Sequence, residues 1–125
     1  DEERLMVKAL GGGKSEGTYD IKQLEVALDR VKLASAFFYT APGPKMLWQF
    51  GELGYDFSIN ACPPDGSEIS NDCRVANKPI PWGEPLNLNY HLNAARQSLY
   101  KATAAINALV NSNNDVFEGG AFAWT

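Results

Sequence analysis

The sequence predicts an α/β fold in which helix dominates. Two segments repeat apolar residues at three- and four-residue spacing, the mark of helices that bury one face. Between them stands a short apolar run, Met46 to Phe50, fenced by Ala41-Pro42-Gly43-Pro44 before it and Gly51-Glu52-Leu53-Gly54 after it. Each proline pushes the residue before it out of the helical region, so whatever precedes must stop there. An apolar run bounded by turn signals suits a strand covered on both faces, as in a parallel sheet. The glycine at its end lets the backbone turn sharply, and Glu52 sits just past that turn. In α/β folds the ends of such strands are where sites collect.

In chain order, Asp1 to Leu10 reads as a short helix whose leading acids complement the helix dipole and which Gly11-Gly12-Gly13 ends. Gly11 to Thr18 reads as a flexible polar loop; it lacks the glycine and lysine spacing of a phosphate-binding loop. The clearest helix runs from Asp20 to Phe38. Asp20 can cap it, with Gln23 three residues on, close to a capping box. Its stripe is Ile21, Leu24, Leu28, Val31, Ser35 and Phe38, widened by Ala27 and Ala34, while Lys22, Glu25, Asp29 and Lys32 form a solvated face. Phe37, Phe38, Tyr39 and Trp48 read as core, and Tyr55 and Phe57 as candidates for a cleft wall. Leu53 to Tyr90 has little periodicity, and a loop that long is uncommon unless it is functional or disordered. Within it, Cys62 and Cys73 stand either as a disulfide or as two free thiols, at a spacing that gives no metal signature. A second helix covers Asn89 to Leu109, with the stripe Leu92, Ala95, Leu99, Ala102, Ile106 and Leu109 and with Asn87 or Asn89 as cap. His91, the single histidine, reads as a surface residue of its first turn. Val116 to Trp124 reads as strand, tight Gly-Gly turn, strand.

The chain has 125 residues, which suggests one domain. With 45% hydrophobic and 21% charged residues it has the composition of a folded globular protein. A net charge of −4 without any basic block argues against nucleic-acid binding. No apolar run approaches the roughly 18 residues of a membrane span. The opening Asp1-Glu2-Glu3-Arg4, without an initiator Met, suggests a processed product or a piece of something longer.

Gly43-Pro44 followed by Gln49-Phe50-Gly51-Glu52-Leu53-Gly54 resembles the last barrel strand of the α-amylase family of glycoside hydrolases. There the pattern reads Gly-x-Pro-x-Ile-x-x-Gly-x-Glu; here Gly43 and Pro44 are adjacent, and Gly51-Glu52 lacks the residue between. Other segments resemble the same family in the same order. Asp1-Glu2-Glu3-Arg4-Leu5 is similar to the end of the seventh strand, where a His-Asp pair stands, with Asp1 matching that Asp. Arg74-x-x-Asn77-Lys78-Pro79-Ile80-Pro81-Trp82 is similar to the Arg-x-Pro-Met-x-Trp segment that follows the eighth strand, here with an insertion. Arg96-x-x-x-Tyr100 fits the eighth barrel helix.

The resemblance implies the last part of a (β/α)₈ catalytic barrel over residues 1–112 and the start of a C-terminal β-sandwich over 113–125, to which the hairpin would belong. A whole barrel takes about 250 residues, so the chain would be a piece of an enzyme, mostly helical by itself. The activity implied is retaining hydrolysis of α-glucosidic bonds in starch-like glucans by paired carboxyl groups. In that family the nucleophile and the acid lie upstream of the position of Asp1, so the chain alone is expected to be inactive. Asp1 would be the third catalytic acid, binding sugar hydroxyls in the transition state. Tyr55, Asp56, Arg74 and Trp82 would contact the glucan. Gly51, Glu52, Cys62 and Cys73 would be structural, with Glu52 holding its loop by hydrogen bonds. No metal or other cofactor is expected. The partners implied are an α-glucan and the rest of the barrel, and unpaired edges would favour self-association. A disulfide would fit a secreted, periplasmic or cell-surface enzyme. The alternative is a non-catalytic carbohydrate-binding or interaction module that uses Trp48, Tyr55, Trp82 and Trp124.

Overall fold

The computed structural model describes residues 3–118. Its elements are helix α1 (Leu5–Gly12), a two-strand hairpin β1 (Ser15–Glu16) and β2 (Tyr19–Asp20), helix α2 (Leu24–Thr40), a long stapled loop, helix α3 (Ala94–Ser112) and a short helix α4 (Asn114–Glu118). The described chain is therefore mostly helical, with one small antiparallel sheet.

Helix α1 starts later than its acids suggest. Its first turn holds no acidic residue, because Glu3 turns away to the long loop. Its end falls at Gly13, where an added Cβ would lie 2.4 Å from the Ala9 carbonyl and 2.8 Å from Ile21. Only glycine allows that approach. The segment read as a flexible loop instead folds tightly: Ser15 and Glu16 pair with Asp20 and Tyr19, and Gly17 takes the turn at φ +59. Asp20 does not cap α2. Its carboxylate accepts from the Lys22 amide and the Ser15 hydroxyl, closing the hairpin, and Gln23 occupies the cap position without a side-chain bond.

Helix α2 packs against both α1 and α3 to form the apolar core. Met6, Ala27, Leu28, Val31 and Leu99 are buried, with Ala9, Leu10, Leu24 and Ala95 packed around them. Burying a side chain of this size contributes about 1.5–3 kcal/mol. The expected stripe of α2 holds over its first half only. Beyond Val31 the buried position is Tyr39, whereas Phe37 and Phe38 are exposed; with Trp48 also 46% exposed, three of the four aromatics read as core are not core. In α3 the cap is Asn93, whose side chain accepts from the Arg96 amide at 3.1 Å. Asn87 and Asn89 cannot serve, since both hold positive φ in the preceding turn.

The apolar run Met46 to Phe50 does not form a strand. A parallel strand takes its hydrogen bonds from neighbours on each side, and no described strand pairs with it. The backbone groups of Met46 and Leu47 make no hydrogen bond among the described residues. Phe50 then adopts a left-handed conformation, a 3₁₀ turn follows over Gly51–Leu53, and Gly54 holds φ +66. A Cβ on Gly54 would sit 2.3 Å from Leu28 Cδ2, so this glycine lets the chain pass directly over the core.

The long stretch after Gly54 is held by staples rather than by regular structure. Cys62 and Cys73 are joined by a disulfide, which settles the two readings of that pair. Ala61 bridges Ile69, and short 3₁₀ turns occupy Asn71–Val75 and Tyr90–Leu92. At the far end, the first arm of the expected hairpin is helical: Val116 and Phe117 both donate to the Asn113 carbonyl at 3.0 and 3.2 Å. The rest of that hairpin, Trp124 included, lies outside the described residues, as does Asp1.

Candidate functional site

Arg4 draws the start of the chain to the Trp48–Gln49 segment and to Tyr55. It stands just before α1, with its guanidinium 4.9 Å from the Trp48 ring and 4.6 Å from the Tyr55 ring. Its Nη1 donates to the Gln49 carbonyl at 3.3 Å, and its buried Nε has no hydrogen-bond partner among the described residues. Beside it, the Glu3 carboxylate accepts from the Ser58 hydroxyl, from the Ile59 amide at 2.9 Å and from the Arg4 amide at 2.8 Å. Burial alone would push this carboxyl up, but those hydrogen bonds outweigh it and hold Glu3 below the usual carboxylate range.

Tyr55 lies at the centre of an aromatic cluster. Its ring packs on Phe50, Phe57 and Tyr90, and Phe50 in turn meets Trp82 edge-on at 4.6 Å. The Tyr55 hydroxyl donates to the Pro79 carbonyl at 2.6 Å. At 1% exposure Tyr55 cannot touch a substrate, which corrects its assignment as a contact residue. Burial, chiefly, pushes its hydroxyl up to about 12.

Asp56 is also engaged internally. One oxygen accepts from the Tyr90 hydroxyl and the other from Arg96 Nη2 at 2.8 Å. Arg96 completes its donors with the Leu53 and Gly54 carbonyls at 2.9 and 2.6 Å, and it lies 3.6 Å over the Tyr90 ring. Burial and the Asp56 contact both raise the Tyr90 hydroxyl. Asp56 thus works as a structural counter-charge, and its expected contact with a glucan is not what this geometry offers. Glu52 makes no side-chain hydrogen bond among the described residues, so it does not hold its loop in the expected way. Its charge instead adds to burial in raising the Tyr39 hydroxyl.

Two open sites lie against Arg4. An apolar groove of about 350 Å³ runs between α1, α2 and the Met46–Trp48 segment, lined among others by Met6, Val31, Phe38, Leu47 and Trp48. A smaller cavity of about 260 Å³ is lined by Glu3, Arg4, Trp48, Ile59 and Arg74. Arg74 lines this cavity, and Trp82 keeps 39% of its surface open. His91 is exposed, as read. Among the described residues no cluster of three or more His, Cys, Asp or Glu is placed to hold a metal, and no helix is long and apolar enough to cross a membrane.

Three residues of this region escaped the sequence reading. Arg96 left a signal, because it stands three residues before Leu99, on the buried face of α3. A charge on an apolar stripe asks for a partner. Glu3 and Lys78 left none; their partners lie far along the chain. In comparisons with known proteins, no protein family and no curated protein matches the chain.

Proposed function

We propose that the chain is the closing part of an α-amylase-type glycosidase barrel that hydrolyses α-glucosidic bonds of starch-like glucans with retention. One observation supports this above the rest. Three segments that resemble that family lie far apart in sequence and meet around one cluster. Arg4 of the first stacks on Trp48 and Tyr55 beside the second, and Tyr55 bonds to Pro79 of the third. The bare Met46–Leu47 backbone and the apolar groove beside it accord with a strand that has lost its neighbours. In this reading Arg74 and Trp82 face the substrate, and Asp1 supplies the third acid.

The nucleophile and the general acid would come from strands that precede Asp1. Such groups act as a unit, and losing either removes nearly all rate. The isolated chain is therefore expected to give no turnover of maltooligosaccharides above background. The decisive test is the coding sequence ahead of the Asp1 codon. A His codon directly before it and Asp and Glu motifs further upstream are expected; a start codon at that point, or unrelated sequence, overturns the reading.

The second reading, a sugar-binding module, draws on Trp48 and Trp82, which are 46% and 39% exposed. Calorimetry with maltooligosaccharides separates it: heat of binding that disappears in Trp82→Ala would favour it.

A further inference from the structure

Lys78 is 8% exposed, so its ammonium lies inside the protein. It donates to three backbone carbonyls: Ile59 at 2.6 Å, Ala61 at 3.5 Å, and Cys73. An ammonium carries three donors, and each has an acceptor here. These acceptors come from two places in the chain. Ile59 and Ala61 stand just before Cys62, and the third is Cys73 itself. The disulfide joins the same two places covalently. Between them run the bonds of a small closed loop, Cys62 amide to Glu68 carbonyl at 2.9 Å and Ser70 amide to Asn60 carbonyl at 3.0 Å. The lysine and the disulfide are thus two fastenings of one junction, and the segment after Lys78 hangs from both.

We propose that Lys78 and the Cys62–Cys73 disulfide form a single redox-sensitive latch: opening the disulfide frees the Cys73 carbonyl, deprives the buried ammonium of an acceptor, and releases Pro79–Trp82. A buried ammonium with an unfilled donor is costly and moves toward water. The release reaches the aromatic cluster, because Pro79 accepts from Tyr55 and Trp82 packs on Phe50. Cys62 is 4% exposed whereas Cys73 is only half-buried, which favours attack at the Cys73 side of the bond. The reaction needs a dithiol reductant. One of its thiolates bonds to Cys73 Sγ as the Cys62 sulfur leaves and takes up a proton. The second reductant thiol then displaces Cys73, which is protonated in turn. Two electrons pass to the protein, and the reductant ends as a disulfide. This inference stands independently of the glycosidase reading.

The test is acylation of lysine amines, read by mass spectrometry on the peptide that holds Lys78. In the oxidised chain Lys78 should react far more slowly than the exposed Lys22. After reduction with dithiothreitol and alkylation of both thiols, its rate should rise on the order of tenfold, since a buried hydrogen-bonded group has lost a partner. The double variant Cys62→Ser with Cys73→Ser should behave in the same way without reductant. In both, the Leu28 and Leu99 amides of the helical core should keep their protection from hydrogen exchange. The proposal is overturned if Lys78 stays protected after reduction, if it already reacts as fast as Lys22 when oxidised, or if the Leu28 and Leu99 amides open together with it.

Discussion

Glu3, Lys78 and Arg96 are charged groups whose partners come from distant parts of the chain, and each ties the long loop to something else. Glu3 couples the start of the chain to Ser58 and Ile59. Its carboxyl is held below the ordinary value of 4.5 by those hydrogen bonds, against the upward push of burial. A carboxylate depressed in the folded state adds stability above its unfolded value, and that stability is lost as pH falls through the folded value. The contact is therefore expected to hold above about pH 5 and to loosen on further acidification. The Ile59 amide resonance, followed by NMR from neutral to acid, should titrate below the usual carboxylate range, and Glu3→Gln should abolish that titration. A titration at or above the ordinary value would count against the assignment. At this scale the sequence held a signal for Arg96 that the reading passed over, its place three residues before Leu99 on one helix face. It could not disclose Lys78, because nothing near that residue hints that three carbonyls from residues 59 to 73 converge on it.

Helix α3 is fastened to the turn after Gly51 through Arg96, which serves the Leu53 and Gly54 carbonyls and Asp56 together. The side chain of Arg96 is 5% exposed and that of Asp56 21%. Removing one partner of a buried pair leaves the other charge uncompensated, at a cost of about 3 kcal/mol or more. Arg96→Met should therefore lower the stability measured by urea unfolding by about 3 kcal/mol, with the Tyr90 environment changing in near-ultraviolet circular dichroism. A loss near zero would mean the pair is dispensable. The helices themselves could be read, since α2 and α3 carry apolar spacing that depends only on nearby residues. Their ends could not: Gln23 and Asn93 won the cap positions because Asp20 was taken by the hairpin and Asn89 by a left-handed turn. The apolar run at Met46 was read correctly as apolar and wrongly as paired. Pairing belongs to neighbours, and a run cannot announce theirs.

Two centres make up the molecule, the helical core around Leu28 and Leu99 and the aromatic cluster around Tyr55. The groove beside Met46, Leu47 and Trp48 lies open between α1 and α2, and these three side chains are 76%, 47% and 46% exposed. Contiguous apolar surface of this kind drives association in water. The chain is expected to self-associate through it. Its mass in sedimentation should rise with concentration, and Leu47→Asp should suppress the rise; a monomer at every concentration would count against both the open groove and the barrel-piece reading. The staples of the loop, by contrast, need nothing from outside, which is why that part is well formed despite having almost no regular structure.

The two thioethers of the chain sit at opposite extremes, Met6 at 3% exposure and Met46 at 76%. Sulfoxide formation follows access of peroxide to sulfur, so a brief oxidant pulse marks Met46 and spares Met6. The groove thus carries its own chemical gauge: whatever comes to fill it shields one sulfur atom, and the mass of a single peptide records the event.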